Sequence, residues 1–205
     1  MLEVLTGTGL AASAGLNAYI PLLVMGLLGR YTDLLHLPAG SQWLSNGWVL
    51  LILAVLLVVE VVADKVPVVD HVNDMVQTVV RPTAGGLAFG AGSGSDTVTV
   101  SDPGQFFTSH QWVPVVAGIV LAFGVHGVKA AARPVINATT AGIGAPVAST
   151  VEDVTSVLMS LVAILLPVLV LAFLLGMVWF TFWFVRRRKD RRRERQAARA
   201  AGFRV

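Results

Sequence analysis

The chain has 205 residues, of which 55% are hydrophobic and only 13% are charged. A soluble globular domain carries about 25% charged residues, so this composition excludes an ordinary soluble domain and predicts an integral membrane protein. No cysteine is present, which excludes disulfides and thiolate metal sites. Residues 186–205 hold ten of the 15 Lys and Arg residues, so the remainder of the chain, with five bases and ten acids, is net negative.

The first half of the chain begins with an apolar segment. Residues 4–29 carry no charge, and at a helical rise of about 1.5 Å per residue they are long enough to cross a hydrocarbon core of about 30 Å. Glu3 stands where a signal peptide needs positive charge, so a cleaved leader is not expected. A second span is predicted at about 45–63, with Trp43 and Trp48 as its interfacial anchors.

A third segment, which follows the second span, is predicted to be helical and to continue to about residue 92. The second half of the chain comes after it. Residues 93–111 are polar and contain several Gly and Ser, which predicts a solvent-exposed loop. A fourth span is predicted from Trp112 to about 130, and the connection 136–149 has the composition of an irregular segment that lines a polar cavity. Residues 154–185 are uncharged over 32 residues. This is about 48 Å of helix, so tilt or a break at Pro167 is required.

The chain resembles itself at an offset of 79 residues. The segment PVVDHVNDMVQ (67–77) aligns with PVASTVEDVTS (146–156), and Asp74 falls on Asp153. On a helix, the polar residues of each copy form one stripe. We therefore predict two related hairpin units, at about 45–92 and 112–185, with chance similarity between two amphipathic helix starts as the alternative. Internal repeats of this kind recur in transporters, where the binding site lies at the repeat interface.

Polar side chains near the start of the first stripe have two interpretations. Asp70, His71 and Asp74 could bind a hard cation or relay protons, because carboxylate and imidazole groups suit either role. They could equally cap and solvate the beginning of a helix. His126, on the fourth predicted span, is expected to be a packing residue rather than a proton carrier.

Three bases within the apolar part of the chain complete the predicted site. Arg81, Lys129 and Arg133 would be costly in lipid and are expected to meet carboxylates. The carboxylates predicted to pair with them are Asp74, Glu152 and Asp153. The candidate binding or cavity residues are Asp70, His71, Asp74, Arg81, Lys129, Arg133, Asn137, Glu152 and Asp153. We predict no catalytic residue, no metal site and no cofactor.

The C-terminal segment RRRKDRRRER directly follows an apolar segment, which is typical of a cytoplasmic flank under the positive-inside rule. Residues 1–185 are therefore predicted to form a multi-span membrane domain, and residues 186–205 a basic cytoplasmic tail. Contact with anionic lipid headgroups is expected there. Nucleic-acid binding is not, because no folded basic module is indicated. With five spans the internal bases would fall near the outer side, against the positive-inside rule. Either these bases lie in re-entrant segments enclosed by protein, which we favour, or the number of crossings is even.

Three blocks of the sequence resemble a known family. ASAGLNAYIPLLVMGLLGR, EVVADKVPVVDHVNDMVQTVVRPTAGG and HGVKAAARPVINATTAGIGAPVASTVEDV are similar to blocks of the bacterial domain of unknown function 4126. The resemblance covers nearly everything from residue 10 to about 175. It implies a multi-pass protein of the bacterial inner membrane, and it brings no established activity and no catalytic residues.

The fold class predicted from these patterns is an all-α integral membrane protein with about five transmembrane or re-entrant helices. The leading functional hypothesis is transport or permeation of a small polar or ionic solute, or of a lipid headgroup, through a polar cavity between the two units. The alternative is a membrane scaffold or assembly protein held by buried ion pairs. A lipid-modifying membrane enzyme is the third hypothesis. Association into a homo-oligomer is compatible with all three.

Overall fold

The computed structural model describes residues 2–65, 67–94, 112–140 and 144–172, together with residues 175, 176, 179, 183 and 186, and within these ranges it leaves the side chains of residues 67–72 and 137 undescribed. All regular structure in the described ranges is helical, which confirms the all-α prediction. The predicted loop 93–111, apart from its first two residues, and the tail after residue 186 lie outside the described residues. The chain divides into two compact units, residues 1–170 and 171–205, and the fold below is that of the first.

Six α-helices with defined bounds lie in the described part of this unit. They are α1 (Leu2–Leu16), α2 (Tyr19–Tyr31), α3 (Gly47–Ala63), α4 (Pro67–Gly92), α5 (Trp112–Thr140) and α6 (Gly144–Leu165), and a 3₁₀ helix, Ala39–Ser45, precedes α3. The predicted boundaries of α3 and α4 lie close to those observed. Proline is favoured in the first turn of a helix, where its missing N–H has no helical partner, and α4 begins at Pro67 itself.

The predicted first span, residues 4–29, is in fact two helices separated at Asn17 and Ala18. The Asn17 side-chain oxygen accepts hydrogen bonds from the backbone N–H groups of Tyr19 and Ile20, at 3.1 and 3.2 Å. These two N–H groups would otherwise have no helical partner, so Asn17 caps the start of α2. With 15 residues, α1 is about 22 Å long and therefore shorter than a hydrocarbon core of about 30 Å.

The prediction of an irregular segment at 136–149 is wrong for the described residues. Helix α5 continues to Thr140 and α6 already begins at Gly144. The Thr139 and Thr140 hydroxyls donate to carbonyl oxygens one turn earlier in α5, at 2.8 and 2.7 Å. Their polar groups are thus satisfied within the helix, as Ser and Thr hydroxyls often are. The break expected at Pro167 is present, because α6 ends at Leu165, a turn follows, and the backbone is helical again from residue 168.

Helix α1 lies at the centre of the unit and contacts α4, α5 and α6. Small residues allow these close approaches. A Cβ atom at Gly7 would lie 2.8 Å from the Phe89 carbonyl oxygen, and one at Gly9 would lie 2.6 Å from the Ala163 Cβ. Gly7 thus faces the end of α4, whereas Gly15, near the other end of α1, faces Arg81. Helix α4 therefore runs antiparallel to α1.

Helix α6 has the same relation to α1, since Gly9 faces Ala163 and Asn17 contacts Asp153. Both helices of the predicted repeat therefore pack antiparallel against α1. The repeat itself stays a prediction.

The described helices include candidates for membrane spans. By length and composition, α5 and α6 could each cross a membrane, and the 3₁₀ helix with α3, bent by 66°, could form a third crossing. Helix α3 exposes apolar side chains such as Ile52 and Val58 but buries Glu60, which is 1% exposed. A helix with apolar residues outside and a carboxylate inside is suited to lipid rather than water. These features indicate a membrane protein, and the figure of about five spans stays a prediction.

Candidate functional site

Charged side chains from four helices and the residue that ends α3 converge inside the first unit. We call this set the charged cluster, and its members are Glu60, Asp64, Asp74, Arg81, His126, Lys129, Arg133, Glu152 and Asp153. Glu60, Asp64, Arg81, His126, Lys129 and Arg133 are each at most 5% exposed. Buried charges are tolerated when they are paired and hydrogen-bonded, so their partners define the site.

Arg81, on α4, is completely buried. Its Nη2 donates to Glu60 Oε1 at 2.8 Å, and its Nη1 donates to the carbonyl oxygen of Gly15 at 3.5 Å. The same Nη1 lies 3.2 Å from His126 Nδ1. A guanidinium group can only donate, so Nδ1 is the acceptor. The neutral imidazole then carries its hydrogen on Nε2, which lies 3.2 Å from the Thr78 hydroxyl. His126 is thus a member of a polar network as well as a packing residue.

Asp64, which ends α3, joins α3 to three other helices. Its Oδ2 accepts from Lys129 Nζ at 3.4 Å, from Arg133 Nη2 at 3.0 Å and from the Ser149 hydroxyl at 3.3 Å. Its Oδ1 accepts from the Asn73 side chain at 2.8 Å. Both carboxylate oxygens are therefore satisfied, and α4, α5 and α6 are all held to the end of α3.

Glu152, on α6, shares the two bases of α5 with Asp64. Its Oε2 lies 2.8 Å from Lys129 Nζ and 3.3 Å from Arg133 Nη2. Lys129 also donates to the carbonyl oxygen of Leu16, the last residue of α1, at 3.2 Å. The Glu152 side chain is 17% exposed, so the charged cluster reaches the surface of the protein at this carboxylate.

Ser13 and Asn17 were not among the predicted site residues. Ser13 lies in α1 and Asn17 at the break after it, and both polar side chains are completely buried. The Asn17 amide nitrogen donates to Asp153 Oδ1 at 3.0 Å. The Ser13 hydroxyl lies 2.7 Å from the hydroxyls of Ser156 and Ser160. Ser13 and Asn17 are four residues apart, which places them on one face of a helix. This spacing of two polar residues in an uncharged segment was the available indication that α1 faces polar neighbours.

Asp74 and Asp153 differ from the other carboxylates of the charged cluster. Both are half-buried, and among the described side chains neither lies within ion-pair distance of a base. Asp74 Oδ1 is buried and has no hydrogen-bond partner there. Of the three carboxylates predicted to pair with the bases, Glu152 does so. The other partners are Glu60 and Asp64, which were outside the predicted site.

Three predicted site residues have side chains outside the described part of the structure. Asp70 and His71 lie in the first turns of α4, and Asn137 lies near the end of α5. Among the side chains that the structure does describe, no group of three or more His, Asp or Glu residues is arranged to hold a metal ion.

The family of the chain follows from its sequence. Neither the curated proteins nor the solved structures include a match to it. Residues 4–187 match the model of a family described as Domain of unknown function (DUF4126), a range that contains the whole charged cluster. This protein therefore belongs to the family of the domain of unknown function 4126.

Proposed function

We propose that this protein moves a small polar or ionic solute across the bacterial inner membrane, by a route that passes through the charged cluster. The observation that carries the proposal is the break between α1 and α2. It leaves the carbonyl oxygens of Gly15 and Leu16 at the end of α1, where they accept hydrogen bonds from Arg81 and Lys129. Broken helices whose free ends contact charges at membrane depth are a recurrent construction of transporter binding sites.

The distribution of exposure supports a route rather than a closed core. Glu60, Asp64 and Arg81 are buried, whereas Asp74, Glu152 and Asp153 are half-buried. A solute that crosses the protein needs polar partners at the surface and also in the interior, and the charged cluster provides both. Ionisable residues within membrane segments commonly mark such pathways.

A membrane scaffold is the second candidate, and the surroundings of Asp64 favour it. This carboxylate receives hydrogen bonds from Asn73, Lys129, Arg133 and Ser149, so it is fully occupied in the structure. Such a saturated junction between four helices suits a purely architectural role.

A swelling assay separates the two candidates. Proteoliposomes are placed in gradients of one solute at a time, namely glycerol, urea, NaCl, KCl or choline chloride, and volume changes are followed by stopped-flow light scattering. A fluorescent phospholipid provides a parallel test of headgroup movement. We expect at least one probe to move faster than in protein-free liposomes. Asp74→Asn and Asp153→Asn, which keep the side-chain shape and remove its charge, are expected to reduce that rate to the protein-free level.

The matched control for this assay is Asp33→Asn, because Asp33 is an exposed carboxylate outside the charged cluster. Its flux should equal that of the wild type. If the wild-type protein moves none of the probes while remaining folded and monodisperse, the transport proposal is wrong and the scaffold is favoured.

The proposed orientation places the C-terminus in the cytoplasm. Ten of the last 20 residues are Lys or Arg, and such a flank is retained on the cytoplasmic side of the inner membrane. A reporter enzyme that is active only in the periplasm, fused after Val205, is expected to be inactive. A fluorescent protein that matures only in the cytoplasm, fused at the same point, is expected to be bright. The opposite pair of results would reverse the orientation.

A further inference from the structure

The described charges of the charged cluster do not balance. Five carboxylates, those of Glu60, Asp64, Asp74, Glu152 and Asp153, accompany three bases, those of Arg81, Lys129 and Arg133. With His126 neutral, full ionisation of these eight groups leaves two negative charges in excess. Lys65 is exposed and is not a member of the cluster. Unbalanced charge is expensive inside a protein surrounded by lipid, so these two charges require a positive partner.

The ion pairs identify which two carboxylates are in excess. Glu60 is paired with Arg81, while Asp64 and Glu152 share the bases of α5. Asp74 and Asp153 remain, without an ion pair among the described side chains. These two residues are also equivalent in the predicted repeat, because they are separated by the offset of 79 residues. Each lies on a helix that packs antiparallel against α1.

The surroundings of Asp74 include two buried acceptors that receive no hydrogen bond from the described side chains. Asp74 Oδ1 and Gln77 Oε1 are both buried acceptors without a partner in the described structure, and the Gln77 residue is only 2% exposed. The two residues are three positions apart and lie on the same face of α4. A buried polar atom without a partner destabilises the folded state. A single proton on Asp74 would turn one of these acceptors into a donor.

Asp153 already has one donor, the amide nitrogen of Asn17 at 3.0 Å. This bond is compatible with a protonated carboxyl group, because the carbonyl oxygen of the acid accepts it and the other oxygen carries the proton. Asp153 is half-buried, so its carboxyl group is not sealed inside the protein while it binds Asn17 at the break between α1 and α2.

Charged groups of both signs face the two carboxylates. Those near Asp74 are Arg81 of α4, Lys129 of α5, Asp64 at the end of α3 and Glu152 of α6. Those near Asp153 are Lys129, Asp64 and Lys65. Helix α1 faces them with neutral polar groups only, namely Asn17 and the carbonyl oxygens at its end. Arg81 and Lys129 already bind other carboxylates. Lys65 is exposed and donates to the carbonyl oxygen of Val61 at 3.2 Å. None of these bases lies within ion-pair distance of Asp74 or Asp153 among the described side chains.

We infer that Asp74 and Asp153 are twin proton-binding sites, each of which takes a proton from water and holds it as a neutral carboxylic acid. Protonation of both removes the two excess negative charges. Proton binding by itself does not depend on the proposed function. The step that rests on that function is the release of each proton to the opposite side, which would make H⁺ the transported or coupled ion.

Infrared spectroscopy of the purified protein in lipid nanodiscs at neutral pH tests the inference. A protonated carboxyl group gives a carbonyl stretching band that an ionised carboxylate lacks. We expect this band in the wild-type protein, a reduction of about half in Asp74→Asn and in Asp153→Asn, and its loss in the double variant. Asp33→Asn, with an exposed carboxylate, should leave the band unchanged. Replacing H₂O by D₂O should shift the band to lower frequency, which identifies it as the band of a protonated carboxyl group.

A second measurement tests the inference even if the variants do not fold. Carbon-13 NMR of wild-type protein labelled at the aspartate carboxyl groups distinguishes protonated from ionised side chains without any substitution, and two protonated aspartates are expected at neutral pH. The absence of protonated aspartate, or an infrared band that persists in the folded double variant, would overturn the inference. Thermal stabilisation of the wild type by NaCl over choline chloride, without the band, would assign the two sites to Na⁺ instead and overturn it equally.

These outcomes can be separated from those of the proposed function. A carboxyl band together with no movement of any probe in liposomes would support the proton-binding sites and contradict the transport proposal. Movement of a probe without the carboxyl band would support transport and contradict the proton-binding sites.

Discussion

Asp64→Ala is expected to lower the free energy of unfolding by about 3–5 kcal/mol, the usual cost of removing one partner from a buried ion pair. Asp64 accepts hydrogen bonds from Lys129 and Arg133 and joins the end of α3 to three other helices. Without it, Lys129 and Arg133, which are both buried, lose one of the carboxylates that they bind. Unfolding in mixed micelles with a rising fraction of denaturing detergent measures the loss.

Asp33→Ala is the matched control, because Asp33 is exposed. Substitutions at such surface positions usually change stability by less than about 0.5 kcal/mol. If Asp64→Ala unfolded at the same detergent fraction as Asp33→Ala, the junction at Asp64 would contribute nothing to the fold, and the scaffold function would lose its main support.

Gly118→Ala is expected to destabilise the protein by about 1–3 kcal/mol through overpacking. Helices α4 and α5 approach each other closely at Gly85 and Gly118. A Cβ atom at Gly118 would overlap the Gly85 carbonyl oxygen and lie 2.5 Å from the Phe89 Cβ. Since the first of these neighbours is backbone, relief requires the two helices to separate. The same detergent titration reports the effect.

Gly124→Ala provides the control on the same helix. Nothing lies within 4 Å of a Cβ atom added at Gly124, and alanine stabilises a helix relative to glycine by about 0.5–1 kcal/mol. Its stability should therefore be unchanged or slightly higher. Equal loss in both variants would show that glycine is needed along α5 for a reason other than the contact with α4.

The fold was predictable where the chain carries strong local patterns. Pro67 and Pro146 indicated the first turns of α4 and α6, and the uncharged segments indicated apolar helices. The break at Asn17 was missed, although Pro21 cannot donate a backbone N–H to the carbonyl oxygen four residues earlier and the Asn17 amide caps α2. That amide acts through two backbone N–H groups and one distant carboxylate, and the carboxylate lies 136 residues away in sequence.

The candidate site was predictable in its bases but not in all their partners. The cost of a cation in lipid required that Arg81, Lys129 and Arg133 meet carboxylates. Glu60 and Asp64 were interpreted only as charges that end an apolar segment. Helix α3 is apolar on every face except at Glu60, so its hydrophobic pattern does not distinguish the face toward lipid from the face toward protein. Tertiary packing determines which face of α3 is turned toward protein, and that face contains the buried residues Leu53, Glu60 and Ala63.

The oxygen and the nitrogen of the Asn17 side-chain amide bind different helices, and this restricts which residue can replace Asn17. The oxygen receives the first N–H groups of α2, while the nitrogen binds Asp153 on α6. Aspartate would keep the cap but would lose the N–H donor that binds Asp153, and serine would lose the reach to α6. A rotation of the amide would reverse both contacts at once. The Asn17 side chain therefore connects the first turn of α2 directly to a carboxylate of α6, so no residue without both a donor and an acceptor at this position can keep the two helices joined.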